Sequence, residues 1–265
     1  MILENRSTTL VQRWENGEIS PLNEHLGDES LVHLSVNGQN VTSLLASQTD
    51  LDYLLIGHLF TEYQVNLSSL LHDIRVLKDP SGITVNVDKV GIEVKRKRSD
   101  LVVSSCGACD QDNLHALVDS TPRVSSSNKP YQMDELMLKL DEMKSKQEEF
   151  LKTGGVHGSG VLMDDNSFTV MEDIGRHNAV DKVIGHALAS TPKVPIRALF
   201  LSGRCGWDIV SKAAFANIPV IVSVGAVSSL AARTARKAEL TLISFVRDGK
   251  SIIIGPFQGR FDTKD

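Results

Sequence analysis

Cysteine is scarce in this chain, with three in 265 residues, and an odd number of this kind does not build a disulfide framework. We therefore expect a reducing, cytoplasmic compartment. No apolar run approaches the length of a membrane span. The first residues carry Glu4 and Glu15 and lack an apolar core, so no secretory signal is expected. The net charge of −5 provides no general attraction for nucleic acid.

Several common binding motifs are absent as well. Neither Gly-x4-Gly-Lys-Ser/Thr nor Gly-x-Gly-x-x-Gly occurs, which argues against an ordinary ATP or NAD site. The zinc deaminase signature, His-x-Glu followed by Pro-Cys-x-x-Cys, is not met, because Ser105 stands in the proline position and no His-x-Glu precedes it. There is also no second Cys-x-x-Cys pair to complete a four-cysteine zinc site.

The most reactive stretch that is present is Ser-Ser-Cys-Gly-Ala-Cys-Asp at residues 104–110. A thiolate is both a strong nucleophile and a soft metal ligand. The pair Cys106 and Cys109 could therefore belong to a zinc site, a redox dithiol or a sulfur-handling site, and two small residues in a turn are the structural alternative. Zinc would need further ligands, for which Cys205 and His157 are the candidates. The cysteine pair alone does not separate redox chemistry from sulfur transfer.

The hydrophobic pattern divides the chain into three parts. Residues 1–104 are predicted to form a strand-rich α+β region, with a hairpin turn at Asn37-Gly38 and a helix over residues 50–63. Residues 105–130 are predicted to form a mobile loop that carries the cysteine pair. Such a loop suits a group that must visit a donor and then an acceptor. Residues 131–265 are predicted to form an α/β domain.

This last part begins with a long predicted helix over residues 134–151, whose apolar face ends in Phe150 and Leu151. Apolar strands and helices then alternate. This alternation is typical of a parallel sheet covered by helices. The strands are predicted near residues 198–201, 220–224 and 241–246.

Small and basic residues follow these three predicted strands. Arg204 follows the first strand, Gly225 the second, and Arg247 with Lys250 the third. In parallel sheets, ligands bind beyond the carboxyl ends of the strands, where helix N-termini present free N–H groups. We therefore predict an anionic, phosphate-bearing ligand at this edge, with simple caps and turns as the alternative.

Further ionisable residues lie at element boundaries. His157 ends a Gly-Gly-Val-His stretch, and Glu172, Asp173, Arg176 and His177 lie around a predicted helix start. Positive side chains at a helix N-terminus oppose the helix dipole. We therefore expect either a bound anion or compensation by Glu172 or Asp173.

Four motifs follow one another along the chain. They are Ser-Ser-Cys-Gly-Ala-Cys, Gly-Gly-Val-His, Glu-Asp-Ile-Gly-Arg-His-Asn-Ala-Val-Asp-Lys and Leu-Ser-Gly-Arg. In this order they resemble the FdhD/NarQ family of formate dehydrogenase accessory proteins, which act as sulfur carriers. The resemblance runs from the N-terminal hairpins to about Gly255. It departs from the family pattern at Gly158-Ser159 and at Arg204-Cys205, neither of which touches the cysteine pair.

The resemblance implies a cytidine deaminase-like three-layer α/β domain with a smaller strand-rich α+β region, and a homodimer. It also implies that persulfide sulfur passes from a cysteine desulfurase to the molybdenum bis-molybdopterin guanine dinucleotide cofactor required for formate dehydrogenase activity. The partners would be the desulfurase and apo formate dehydrogenase. We expect Cys106 to accept the sulfur as a persulfide, and Cys109 to displace or shield it.

The resemblance places the cofactor contact on one segment, Phe245, Val246, Arg247, Asp248, Gly249 and Lys250. Charge and position add Arg204 and Gly225. The cofactor would be a transient ligand, GDP would mimic it, and the protein would hold no metal of its own. The alternative function is a cofactor-binding scaffold or chaperone whose cysteines are structural or bind metal.

Overall fold

A computed structural model describes residues 8–92, 94, 111–125, 129–247 and 249–262. The predicted sulfur-handling residues Cys106 and Cys109, and Asp248 of the predicted cofactor segment, lie outside the described residues. No helix in these ranges is long and apolar enough to cross a membrane.

The described residues contain the following helices and strands, joined by turns and loops. The helices are α1 (Leu51–Tyr63), α2 (Gln111–Asp119), α3 (Met133–Ser145), α4 (Glu148–Thr153), α5 (Arg176–Ala189), α6 (Trp207–Phe215) and α7 (Ser229–Lys237). The strands are β1 (Thr8–Glu15), β2 (Glu18–His25), β3 (Ser30–Val36), β4 (Gln39–Ala46), β5 (Arg75–Asp79), β6 (Gly82–Val87), β7 (His157–Met163), β8 (Phe168–Asp173), β9 (Ile196–Leu201), β10 (Val220–Ser223), β11 (Thr241–Arg247) and β12 (Lys250–Ile254). A 3₁₀ helix spans Ser68–Asp73.

The largest sheet has six strands in the order β12-β11-β10-β9-β7-β8. Strands β9, β10 and β11 are parallel, as the alternating pattern predicts, whereas β7, β8 and β12 run antiparallel to their neighbours. The parallel strands are mostly apolar because both faces of the sheet are covered. On β9, Leu199 and Leu201 join the core with α5, α6 and α7, while Phe200 joins the core with α3 on the other face. The mixed α/β architecture in layers is thus confirmed, and the likeness to cytidine deaminase stays a prediction.

The N-terminal region is built on a four-stranded sheet in the order β4-β3-β6-β5. The predicted turn between β3 and β4 is confirmed, with φ of 53° at Asn37 and 72° at Gly38. Helix α1 packs on this sheet through residues such as Leu54 and crosses α5 with its opposite side. The crossing is close because both helices carry glycine there. A Cβ atom on Gly57 would lie 1.8 Å from a backbone carbonyl oxygen of α5, and one on Gly185 would lie 2.0 Å from that of Tyr53.

The structure differs from the predicted helix over residues 134–151. Helix α3 ends at Ser145 and a separate short helix, α4, begins at Glu148. The helix is interrupted because the carboxylate of Glu172 accepts hydrogen bonds from the backbone N–H groups of the first turn of α4. These hydrogen bonds cap a new helix. The prediction of one continuous apolar face is therefore wrong at its end, where Phe150 and Leu151 are exposed. The structure also places α2 inside residues 105–130, which were predicted as a loop.

Candidate functional site

The candidate site lies where the carboxyl ends of β9 and β10 meet the start of β7. Because β7 is antiparallel to β9, with Ser159 opposite Leu201, its first residue reaches the same edge at which β9 ends. The structure therefore brings His157 beside the loop that contains Arg204. Helices α6 and α7 begin directly after this loop and the next one, so two N-termini open towards this edge.

The loops after β9 and β10 are joined to each other. The Ser223 hydroxyl donates to the Gly203 carbonyl at 2.7 Å, and the Cys205 N–H donates to the Ala226 carbonyl at 2.9 Å. The close packing of the two loops requires glycine at position 225, because a Cβ atom there would lie 2.6 Å from the backbone nitrogen of Arg204. The two loops thus pack backbone against backbone and form one joined floor at this edge.

His157 is half-buried against this floor, with its Nδ1 3.3 Å from where a Cβ atom on Gly203 would be. Burial lowers the pKa of His157, and the positive charges of Arg176, His177 and Arg204 lower it further. Four of the predicted site residues therefore lie close enough to act on one another. The guanidinium charges of Arg176 and Arg204 favour an anion at this edge.

The N-terminus of α5 finds its compensating charge on another helix. His177 forms an ion pair with Asp208 from the first turn of α6. Burial raises the pKa of Asp208, but the hydrogen bond and charge of His177 outweigh it and lower the pKa to about 2. The expected partners, Glu172 and Asp173, are engaged elsewhere: Glu172 caps α4, and Asp173 pairs with a buried lysine.

Asp173 is a buried anchor. Its carboxylate pairs with Lys182 at 2.7 Å, and both side chains are fully buried. It also accepts hydrogen bonds from Ser47 N at 3.1 Å, Gly175 N at 2.8 Å and Asn178 Nδ2 at 2.9 Å. Since Ser47 belongs to the N-terminal region, this cluster fastens that region to the main sheet and fixes the start of α5.

A second buried cluster was missed by the sequence analysis. Lys212 donates to Asp181 at 2.8 Å, to Thr61 at 2.9 Å and to Glu62 at 2.7 Å, so it joins α6, α5 and α1. His58 completes the cluster with Nδ1 3.0 Å from the Asp181 carboxylate. The signal that could have found it is a lysine at position 212 directly before two alanines in a largely apolar helix, since a buried charge needs a partner.

The predicted cofactor segment adjoins the same floor. The Phe245 N–H donates to the Gly225 carbonyl at 3.1 Å, and Phe245 has a φ of 56°, which is rare for a residue with a side chain. The register between β11 and β12 shifts between Ser244 and Arg247, so the ladder is irregular next to Phe245. The structure thus brings Gly225 and Phe245 together, with Arg247 and Lys250 at the end of the same hairpin.

Metal ligands do not cluster in the described part of the chain, where no group of three His, Cys, Asp or Glu side chains could hold an ion. Cys205 is buried, and burial, with the charge of Asp208, raises the pKa of its thiol. This thiol therefore stays protonated and is a poor nucleophile.

Comparisons with known proteins agree with one another. A model of the FdhD/NarQ family matches residues 28–256. The "Sulfur carrier protein FdhD" of Shewanella oneidensis is 31% identical over 257 residues, covering 95% of this chain and 91% of that protein. The protein of the same name from Thermoplasma volcanium is 35% identical, covering 74% of this chain and 73% of that protein. A crystal structure of a candidate formate dehydrogenase accessory protein from Desulfotalea psychrophila shares the fold, with a TM-score of 0.71, 22% identity and coverage of 97% and 99%.

Proposed function

This chain belongs to the FdhD/NarQ family, and from that premise we propose that it is a sulfur carrier that supports a formate dehydrogenase. The observation that carries the proposal is the Cys106–Cys109 pair in a chain whose full-length relatives are named sulfur carrier proteins. Two small residues, Gly107 and Ala108, separate the cysteines in the sequence, and a cysteine thiolate is the nucleophile that can take up sulfur in this way.

In the proposed step, the Cys106 thiolate attacks the outer sulfur of a persulfide on a cysteine desulfurase. The new bond is the S–S bond on Cys106, the S–S bond on the desulfurase breaks, and the desulfurase cysteine leaves as a thiolate. Cys109 then either shields the persulfide or attacks the Cys106 sulfur. In the second case a Cys106–Cys109 disulfide forms, the carried sulfur leaves as hydrosulfide, and an external thiol reduces the disulfide before the next cycle. The acceptor is the bis-molybdopterin guanine dinucleotide cofactor, which is a substrate rather than a resident group.

The positively charged edge supports the second half of the proposal. A guanine dinucleotide carries a diphosphate, and the edge offers the N-termini of α6 and α7 beside Arg176 and Arg204. The loops around Gly225 are joined backbone to backbone and hold these helix N-termini at one edge, where their free N–H groups can meet phosphate oxygens. Each charged hydrogen bond of this kind contributes about 1.5–3 kcal/mol.

Two measurements test the two halves separately. Cells that lack their own carrier should regain formate dehydrogenase activity with the wild-type chain and not with Cys106→Ala, and equal activity with both would refute the carrier role.

Calorimetry should show that GDP binds more tightly than ADP and that Arg247→Ala weakens GDP binding about tenfold, which is 1.4 kcal/mol. Equal affinity for the two nucleotides, or none for either, would remove the cofactor site.

Metal analysis distinguishes the alternative of a scaffold with structural or metal-binding cysteines. We expect no stoichiometric zinc in protein purified without chelators. Zinc that is present in the wild type and lost in Cys106→Ala would favour the scaffold and contradict sulfur transfer at that residue.

A further inference from the structure

The side chain of Gln147 is buried at the break between α3 and α4, with only 3% of the residue exposed. Gln147 occupies the N-cap position of α4, yet its side chain makes no capping hydrogen bond. The Glu172 carboxylate already accepts the N–H groups of Glu149 at 2.8 Å and Phe150 at 2.9 Å, which are the donors that an N-cap side chain would otherwise bind. The Gln147 amide is therefore not used by the helix that it precedes.

This amide lies over the second residue of β7. A Cβ atom on Gly158 would lie 2.5 Å from Cδ and 2.6 Å from Nε2 of Gln147, so glycine at this position leaves the space that the amide fills. The Gly158 N–H donates to the Ser202 hydroxyl at 2.9 Å, and the Ser202 N–H donates to the Gly158 carbonyl at 3.0 Å. Since Ser202 directly precedes Gly203, the amide lies beside the connection between β7 and the joined floor of the candidate site.

The Nε2 group of Gln147 is buried and has no hydrogen-bond partner in the part of the chain that the structure describes. Most buried polar groups in folded proteins are paired, because an unpaired buried donor loses its hydrogen bonds to water without replacement. A buried, unpaired donor one residue away from His157 therefore indicates an acceptor that does not belong to this chain.

The ligand of the proposed function can reach this donor across the sheet edge. On β7, Val161 packs in the core with α5 and Leu162 in the core with α3, so by alternation His157 faces the α5 side and Gly158 the α3 side. Strand β7 is one strand away from β9 and two from β10, a span of about 10 Å. A nucleoside diphosphate is long enough for this span. With its phosphates at the N-termini of α6 and α7, its base can lie over the α3 side of β7.

We propose that the Gln147 amide reads the base of the bound nucleotide, with Nε2 donating to the O6 oxygen of a guanine. This inference rests on the proposed function, because it assigns a specificity-determining residue to the same ligand. Guanine carries an acceptor at position 6, whereas adenine carries an amino donor there. A donor on Gln147 therefore favours guanine over adenine. It also accepts hypoxanthine, which keeps the O6 oxygen and lacks the 2-amino group.

Calorimetry of the full chain with GDP, inosine diphosphate and ADP tests this role. In Gln147→Met, the affinities for GDP and inosine diphosphate should each fall about fivefold, which is about 1 kcal/mol, and the affinity for ADP should stay unchanged. The free energy of unfolding should not fall, because methionine fills the space without an unpaired donor. Gln132→Met is the matched control, since Gln132 occupies the N-cap position of α3 and is exposed.

A second variant acts on the amide through its neighbour. Gly158→Ala places a methyl group where the flexible end of the Gln147 side chain lies, so it should displace the amide and cause the same loss of affinity for GDP and inosine diphosphate. NMR provides a readout on the wild-type chain. The side-chain N–H signals of Gln147, assigned by their loss in Gln147→Met, should shift on addition of GDP or inosine diphosphate and stay in place with ADP.

The outcomes separate this inference from the proposed function. If the wild type prefers GDP to ADP and Gln147→Met keeps that preference, the inference is overturned and the nucleotide site stands, with a water molecule as the partner of Nε2. If the wild type binds neither nucleotide, or binds both equally, the inference falls together with the nucleotide half of the proposed function.

Discussion

Replacing Lys182 by methionine tests whether the buried pair with Asp173 holds the N-terminal region to the main sheet. Both side chains are fully buried, and the ammonium also lies 3.4 Å from the Ser47 carbonyl and 3.3 Å from that of Glu172. Lys182→Met leaves the Asp173 carboxylate buried without a counter-charge. Breaking a buried pair on one side costs about 3–5 kcal/mol. For a chain of this size, that loss lowers the melting temperature by roughly 6–20 °C.

The assay is urea unfolding followed by circular dichroism, with the free energy of unfolding extrapolated to water. Lys144→Met is the control, because its ion pair with Asp141 is exposed, with 50% and 71% of the two side chains accessible. A pair of this kind contributes less than about 1 kcal/mol. If Lys182→Met lowers the free energy of unfolding no more than the control does, the Asp173–Lys182 pair does not hold the N-terminal region to the main sheet, and its proposed role is refuted.

Three further predictions concern the same framework. The His157 pKa, followed by NMR, should lie below its ordinary value of 6.5; Arg204→Ala and bound GDP should each raise it, and no change with either would contradict an anion site there. The Asp208 pKa is about 2 in the folded state against its ordinary 3.8, so its stabilisation is complete above pH 4 and is lost as pH falls through 2. Urea titrations should therefore show that Asp208→Asn removes roughly 2 kcal/mol of this acid dependence, and identical pH profiles would contradict it. Gly57→Ala should destabilise the protein far more than Gly155→Ala, whose Cβ would lie at an ordinary 3.5 Å, and equal unfolding midpoints would show that the helices can separate without cost.

Much of the fold follows from local patterns. The parallel strands are apolar because both faces are covered, and the turn at Asn37-Gly38 requires residues that tolerate positive φ. The same turn chemistry at Asn16-Gly17 predicts the N-terminal hairpin, but the sequence analysis did not use it. The break between α3 and α4 could not be predicted, since the cap comes from Glu172, which is distant in sequence.

The site was predictable in position more than in detail. Arg204 and Gly225 follow apolar strands and Phe245 lies near the end of another, and the topology of a parallel sheet brings such residues to one edge. The sequence alone does not predict which charged side chains pair with each other. Asp208 pairs with His177 because α5 and α6 begin at the same edge, and only the fold establishes that neighbourhood.

Mass spectrometry of the chain after incubation with a cysteine desulfurase and cysteine tests sulfur carriage most directly. We predict that the peptide containing Cys106 gains the mass of one sulfur atom, that reduction removes it, and that Cys109→Ala still accepts it. Cys106→Ala should accept none. If Cys106→Ala takes up sulfur as the wild type does, or if the wild type takes up none, the proposed persulfide on Cys106 is contradicted.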